Sequence, residues 1–125
     1  MYTVTVIEEF LARHWLTVPD PGPEGEVNAH RFRVELTLSG AELNEHDYLV
    51  DIDDAETVLA DVGARYGDAT LNDLPEFEGH NPSVERFARV VWERAVGTLD
   101  TDGIDEVAVK IWEDDDAWAA YEGSP

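Results

Sequence analysis

The chain has 125 residues, of which 43% are hydrophobic and 10% aromatic. These are globular values, enough for one hydrophobic core; they exclude a disordered chain and predict a single domain over residues 1–125. Asp and Glu number 29 against 8 Lys and Arg, a formal net charge of −21 at pH 7, and a chain of that sign repels phosphate backbones and anionic lipid, so no nucleic-acid or membrane partner is expected.

The absence of cysteine excludes disulfides, thiolate metal sites and a cysteine nucleophile. No apolar run is long enough for a bilayer, and the opening MYTVTVIEEF carries acids where a secretory signal carries basic residues. A cytoplasmic protein is expected.

Residues 2–16 read as a strand, with Phe10, Ala12, His14 and Leu16 on one face. PDPGPEGE (19–26) can only be a turn-rich loop. Residues 26–39 alternate clearly: Phe32, Val34, Leu36 and Leu38 share one parity, while Arg31, Arg33, Glu35 and Thr37 share the other. This is a half-buried strand. A short strand is expected near 47–50. Residues 51–67 read as a helix, with Asp53 and Glu56 as a capping-box variant, a stripe of Ile52, Ala55, Leu59, Val62 and Tyr66, and Gly67 as the stop. Residues 81–97 form a second helix, with Asn81 as N-cap, Pro82 in the first turn, and Val84, Phe87, Ala88, Val91, Trp92 and Ala95 inward. Residues 104–113 alternate again, and Glu113 falls on the parity of Val107, Val109 and Ile111. WEDDDAW (112–118) reads as a solvated charge run. The class is α+β, antiparallel strands with helices on one face, and the sheet edges would be covered by oligomerisation.

Several polar residues are candidates for chemistry. His14, Asn28 and His30 face inward, two of them histidines on paired strands. Three ligands and an open position suit catalytic zinc, but core histidines bonded to backbone show the same spacing. Glu113 ends a buried strand face, where a carboxylate can accept two parallel N–H bonds from a heterocycle, or it lies in water past the strand end. Glu24, Glu26 and Asp68 are acids in loops that could serve as bases or as turn residues. His46 and His80 are replacement ligands or surface residues.

Five stretches, taken in order, resemble the family of 6-pyruvoyl-tetrahydropterin synthase and 6-carboxytetrahydropterin synthase. FLARHWL (10–16) is similar to F-x-A-A-H-x-L, and EGEVNAHRFRVELTLSG (24–40) to C-x-x-x-H-G-H-x-[YF]-x-V. YLVDIDDAETVL (48–59) resembles G-M-V-x-D-F-x-x-L. TLNDLPEFEGHNPSVE (70–85) resembles x-L-N-D followed by N-P-T-x-E, and VKIWEDDDAWAAY (109–121) resembles V-x-V-x-E-T-x-x-x-x-A-x-Y. The resemblance implies the tunnelling fold, a four-stranded antiparallel sheet with two helices on one face, closed by copies of the chain into a trimeric barrel or a hexamer. It implies active sites between subunits, zinc held by three histidines, a cysteine and an Asp-His pair moving protons, and a glutamate anchoring the pterin. The implied substrate is 7,8-dihydroneopterin triphosphate.

Carried over by position, His14 and His30 fall on the first and third zinc histidines and Asn28 on the second. Glu24 stands where the cysteine belongs. YGDA (66–69) replaces L-D-H-H, with Gly67 at the aspartate and Asp68 at the histidine. Glu113 matches the pterin-anchoring glutamate, Glu85 the helix glutamate and Tyr121 the terminal tyrosine. Three readings follow. One is a divergent member that keeps a pocket for a pterin- or purine-like heterocycle around Glu113, with altered or lost lyase chemistry. Another is an active zinc lyase using Glu24 or Asp68 in place of the usual Cys and His. The third is a non-catalytic barrel-forming binding or assembly protein.

The acids are spread along the whole length, as expected of a protein adapted to concentrated cytoplasmic salt. At 1 M salt the Debye length falls to about 3 Å and self-repulsion is screened. The melting temperature should therefore rise as KCl is increased to molar concentration. A melting curve that stays flat or falls over that range contradicts the adaptation.

Overall fold

A computed structural model describes all residues 1–125. Strand β1 (Tyr2–His14) pairs antiparallel with β2 (Asn28–Gly40) over their full length, from Tyr2 opposite Gly40 to His14 opposite Asn28. Strand β3 (Glu106–Trp112) pairs with β2, and β4 (Trp118–Gly123) with β3, giving the order β1-β2-β3-β4. Helices α1 (Ile52–Tyr66) and α2 (Val84–Thr98) cover one face, α1 mainly on β1 and α2 on β3 and β4. No helix is long and apolar enough to cross a membrane.

The strand alternation of β2 holds: Phe32, Val34, Leu36 and Leu38 are fully buried. Both helices bury the expected stripes with adjustments, since Val58 and Val90 join the core while Ile52 is exposed. The centre of the core is aromatic. Phe87 of α2 meets Phe32, Tyr66, Phe77 and Phe10 edge-on at centroid distances of 5.3, 5.2, 6.0 and 6.1 Å, the geometry that aligns a ring edge with a neighbouring π face. Phe32 passes the contact on to His14 and His30, at 5.9 and 5.6 Å. The site therefore rests directly on the core.

Several local expectations are corrected. Residues 47–50 form no strand. Asn44 Oδ1 accepts from the amides of His46 and Tyr48, and Asp47 takes a left-handed conformation (φ 62°), so a tight turn occupies the segment. Helix α1 is capped by Asp51, whose side chain accepts from Asp53 N at 2.9 Å, rather than by Asp53. Its end does need Gly67, though for space rather than for φ: a Cβ there would meet the Gly63 carbonyl at 2.5 Å. Helix α2 is capped by Ser83, which accepts from Arg86 N, so Asn81 and Pro82 lie before the helix. The WEDDDAW run is a hairpin. Asp114 Oδ1 accepts from the amides of Asp116 and Ala117, and Trp112 and Trp118 stack across the strands at 4.4 Å.

Between the helices, Glu76 fastens the connecting segment to α1. It accepts from Arg65 Nη2 (2.8 Å), Arg65 Nε (3.2 Å) and the hydroxyl of buried Tyr66 (2.8 Å). The hydrogen bond from Arg65 is the largest influence and draws the Glu76 carboxyl from 4.5 down to about 2; burial opposes the shift and Tyr66 adds to it. A depressed carboxylate stabilises the fold above its unfolded value and loses that contribution as the pH falls from about 4.5 toward 2. Replacing Glu76 by Ala leaves the Tyr66 hydroxyl buried without a partner, so urea denaturation at pH 7 should show a loss of about 1–3 kcal/mol. The difference between native and variant should shrink on acidification toward pH 2. A variant as stable as the native chain at pH 7 contradicts the assignment.

Candidate functional site

The site is built where the β1–β2 hairpin extends beyond β3. β3 pairs with β2 only as far as Trp112 opposite Arg33. The end of β1 and the start of β2 therefore have room beside them, and Glu113, one step past the end of β3, comes level with Phe32 and next to His30. The Glu113 N–H donates to the Ala117 carbonyl (3.2 Å) and closes the hairpin there.

His14 is the last residue of β1 and is 1% exposed. Its Nδ1 lies 2.8 Å from the Pro82 carbonyl. A carbonyl only accepts, so Nδ1 carries a proton, and in the neutral ring Nε2 then keeps its lone pair. Nε2 is buried and has no hydrogen-bond partner in the protein, an arrangement that costs about 1–3 kcal/mol if nothing fills it. The His30 ring stands edge-on to His14 at 5.3 Å. Glu113 Oε1 lies 3.1 Å from His30 Nε2 and 3.8 Å from His14 Nε2. The donor atoms of His14, His30 and Glu113 all fall within 4.8 Å of one another. A bare buried nitrogen, a second imidazole and a carboxylate form a donor set that fits a divalent cation, and the Pro82 carbonyl holds His14 as outer partners hold metal-binding histidines.

Asn28 sits opposite His14 in the register. Its Nδ2 donates to the carbonyls of Glu26 (3.0 Å) and Glu24 (3.3 Å). That fixes the amide, and Oδ1 then accepts from His30 Nε2 at 2.6 Å. Asn28 is thus in contact with the cluster through His30. Glu24 belongs to a 3-10 turn (Gly22–Gly25) and is exposed; its carbonyl, not its carboxylate, makes the contacts, with Leu16 N (2.8 Å) and Asn28. Asp68 is exposed with φ 60°, and its backbone bonds to Leu11 and the Arg13 side chain on the outer edge of β1. Neither side chain forms a hydrogen bond or ion pair with the cluster. His46 and His80 are exposed and also stand apart, His46 near Glu45 at 3.6 Å.

Three structural partners of the site had no site role in the sequence: Asn72 had none at all, and Asn81 and Pro82 read only as the start of the second helix. Asn72 makes a reciprocal pair of 2.9 Å bonds with the backbone N–H and carbonyl of Trp15. Asn81 Oδ1 accepts from Thr17 N at 2.9 Å. Together with the Pro82 carbonyl they clamp the chain at and just after His14. The L-N-D and N-P stretches contain them, but a backbone carbonyl as a histidine partner leaves no residue-type signal. The cluster remains open on one side: the His30 and Glu113 side chains are 23% and 24% exposed. A cleft of about 650 Å³ lies between Trp15, Asn72, Phe77 and His80 and does not include the cluster.

Residues 3–124 match the family model described as 6-pyruvoyl tetrahydropterin synthase. An Archaeoglobus fulgidus protein named "Putative 6-carboxy-5,6,7,8-tetrahydropterin synthase" is 26% identical over 116 residues, covering 93% of this chain and 91% of that one. The Caenorhabditis elegans 6-pyruvoyl tetrahydropterin synthase structure superposes with a TM-score of 0.84 at 18% identity, covering 98% of this chain and 96% of that one. A Plasmodium vivax 6-pyruvoyltetrahydropterin synthase, in a variant whose catalytic glutamate is replaced by alanine, gives a TM-score of 0.78 at 12% identity, with both chains fully covered. The sheet order, the two helices on one face and the match over nearly all of its length agree: this chain belongs to the 6-pyruvoyl tetrahydropterin synthase family.

Proposed function

We propose that this chain is a divergent pterin-synthase-like protein of the cytoplasm. It binds a pterin- or purine-like heterocycle beside the His14–His30–Glu113 cluster, between copies of the chain in a homotrimer or homohexamer, and its lyase chemistry on 7,8-dihydroneopterin triphosphate is altered or lost. The observation that carries this reading is the contrast within the site. The donor cluster is intact, yet no proton-transferring side chain is bonded to it, because Glu24 and Asp68 are exposed and engage their surroundings through backbone atoms. General acid–base groups contribute about 10²–10⁴-fold to such reactions when they reach, directly or through one water, the proton they move.

Zinc fits the cluster, and when bound it would polarise an oxygen of the substrate. His14 and His30 would hold it, with the Pro82 carbonyl orienting His14. The open side of the cluster, together with the outer edges of β4 and of β1 before Leu11, which pair with no other strand of this chain, supports a site completed by a second copy.

A specific observation favours a second reading, an active lyase. Asn28 ties the Glu24 turn to His30 through a single amide, so the turn that carries Glu24 is held beside the cluster. The catalytic residue of the P. vivax relative is also a glutamate.

The test is incubation of zinc-supplemented protein with dihydroneopterin triphosphate, following triphosphate release and pterin products, together with a fluorescence titration by a pterin. Turnover at least about a hundredfold below that of the C. elegans enzyme assayed alongside, with saturable pterin binding, is the expected result. Turnover comparable to that enzyme and abolished in Glu24→Gln would establish the lyase instead. Neither turnover nor binding would leave the barrel-forming assembly role.

A further inference from the structure

We propose that Glu113 is a metal ligand. With His14 and His30 it forms a two-histidine, one-carboxylate centre for a divalent first-row cation, the glutamate making up for the imidazole that Asn28 does not supply. This rests on the reading of the cluster as a metal site, but it requires neither heterocycle binding nor turnover.

The argument begins with His14 Nε2, which is buried, carries a lone pair and has no partner in the protein. Something electron-poor must face it for the site to be satisfied. The nearest charged group is Glu113, an acceptor that cannot bond to a bare nitrogen, so the two are compatible only with a cation or a proton between them. Around tetrahedral zinc, with bonds of about 2.0–2.2 Å, neighbouring donor atoms stand roughly 3.4 Å apart. The separations of Glu113 Oε1 from the two imidazole nitrogens, 3.1 and 3.8 Å, straddle that value.

Asn28 is a poorer candidate for the third ligand. Its oxygen accepts the His30 proton only in the metal-free protein, and its amide nitrogen is committed to two carbonyls; a neutral amide oxygen is also a weaker donor to a divalent cation than the Glu113 carboxylate. On cation binding, His30 gives up its Nε2 proton to water and takes one back on Nδ1, leaving Nε2 to the metal with no net change in charge on the ring.

Two histidines and a carboxylate are a recurring catalytic donor set, found with zinc and, with more open positions, with iron. Both Glu113 contacts to the histidines run through Oε1, so the other oxygen stays available. The pair of parallel N–H bonds that a free carboxylate offers a heterocycle is thereby reduced to a single one. Specificity in this chain would accordingly depend less on Glu113 than the family resemblance implies.

The test uses the full chain stripped with a chelator. Zinc is titrated by calorimetry and cobalt(II) by its visible absorption, and X-ray absorption on the zinc-loaded native protein counts imidazoles. One cation per chain is expected, with two imidazoles in its shell. Glu113→Gln, isosteric and in an exposed hairpin, should keep the native circular dichroism while losing at least about tenfold in affinity and shifting the cobalt bands. Three or more imidazoles, binding by Glu113→Gln within about threefold of native with unchanged bands, or no uptake by the native chain would each overturn the proposal. The X-ray absorption arm stands even if the variant fails to fold. Because heterocycle binding and turnover are not read, failure here is distinct from failure of the proposed function.

Discussion

The hydrogen bond from His14 Nδ1 to the Pro82 carbonyl sets the character of the whole site. It joins the end of β1 to the segment leading into α2, two parts of the chain 68 residues apart. It fixes the tautomer of a buried ring and so turns Nε2 into a bare donor facing His30 and Glu113. Loss of this bond would let the ring turn and satisfy Nε2 elsewhere, and the cluster would become an ordinary pair of core histidines with a nearby ion pair. The surrounding structure is arranged to keep it. Asn72 and Asn81 hold Trp15 and Thr17 immediately beyond His14, Ser83 starts the helix one residue after Pro82, and the Phe87–Phe32 contact packs beneath both histidines.

Much of the fold was legible because its strongest signals are periodic. Burying Phe32, Val34, Leu36 and Leu38 on one face of β2 requires strict alternation, and a one-residue slip would expose all four. The helical stripes around Leu59, Val62, Phe87 and Val91 are equally direct. The misses are of two kinds. Boundaries were misjudged where several capping residues compete: Asp51 and Asp53, or Asn81 and Ser83, are equally able to accept a helix N–H, and tertiary demand decides. Asn81 is drawn away by Thr17. β4 was obscured because it lies at the edge of the sheet, with no fully buried residue between Trp118 and Gly123, and because the acidic run before it reads as solvent-exposed.

The site divided in the same way. Inward parity correctly brought His14, Asn28 and His30 together, since period two is all that is needed to put them at one end of one hairpin. It could not rank Asn28 against Glu113. That choice depends on where β3 stops relative to β2, a register set by the whole sheet, and on the two carbonyls that occupy the Asn28 amide. The placing of Glu24 and Asp68 was likewise beyond the sequence, because loop acids reveal their orientation only through backbone geometry. The resemblance singled out Glu24 and Asp68 by position, and in the structure both residues are exposed. Family membership and preserved chemistry are separate conclusions.

The central claim is that His14 presents an unprotonated nitrogen to this cluster. A two-bond ¹H–¹⁵N correlation spectrum of the metal-free protein at neutral pH reads the tautomer of each histidine directly. The account predicts a His14 ring protonated at Nδ1, with the Nε2 resonance in the range of a bare imidazole nitrogen. A His14 ring protonated at Nε2, whether or not Nδ1 also carries a proton, would contradict it.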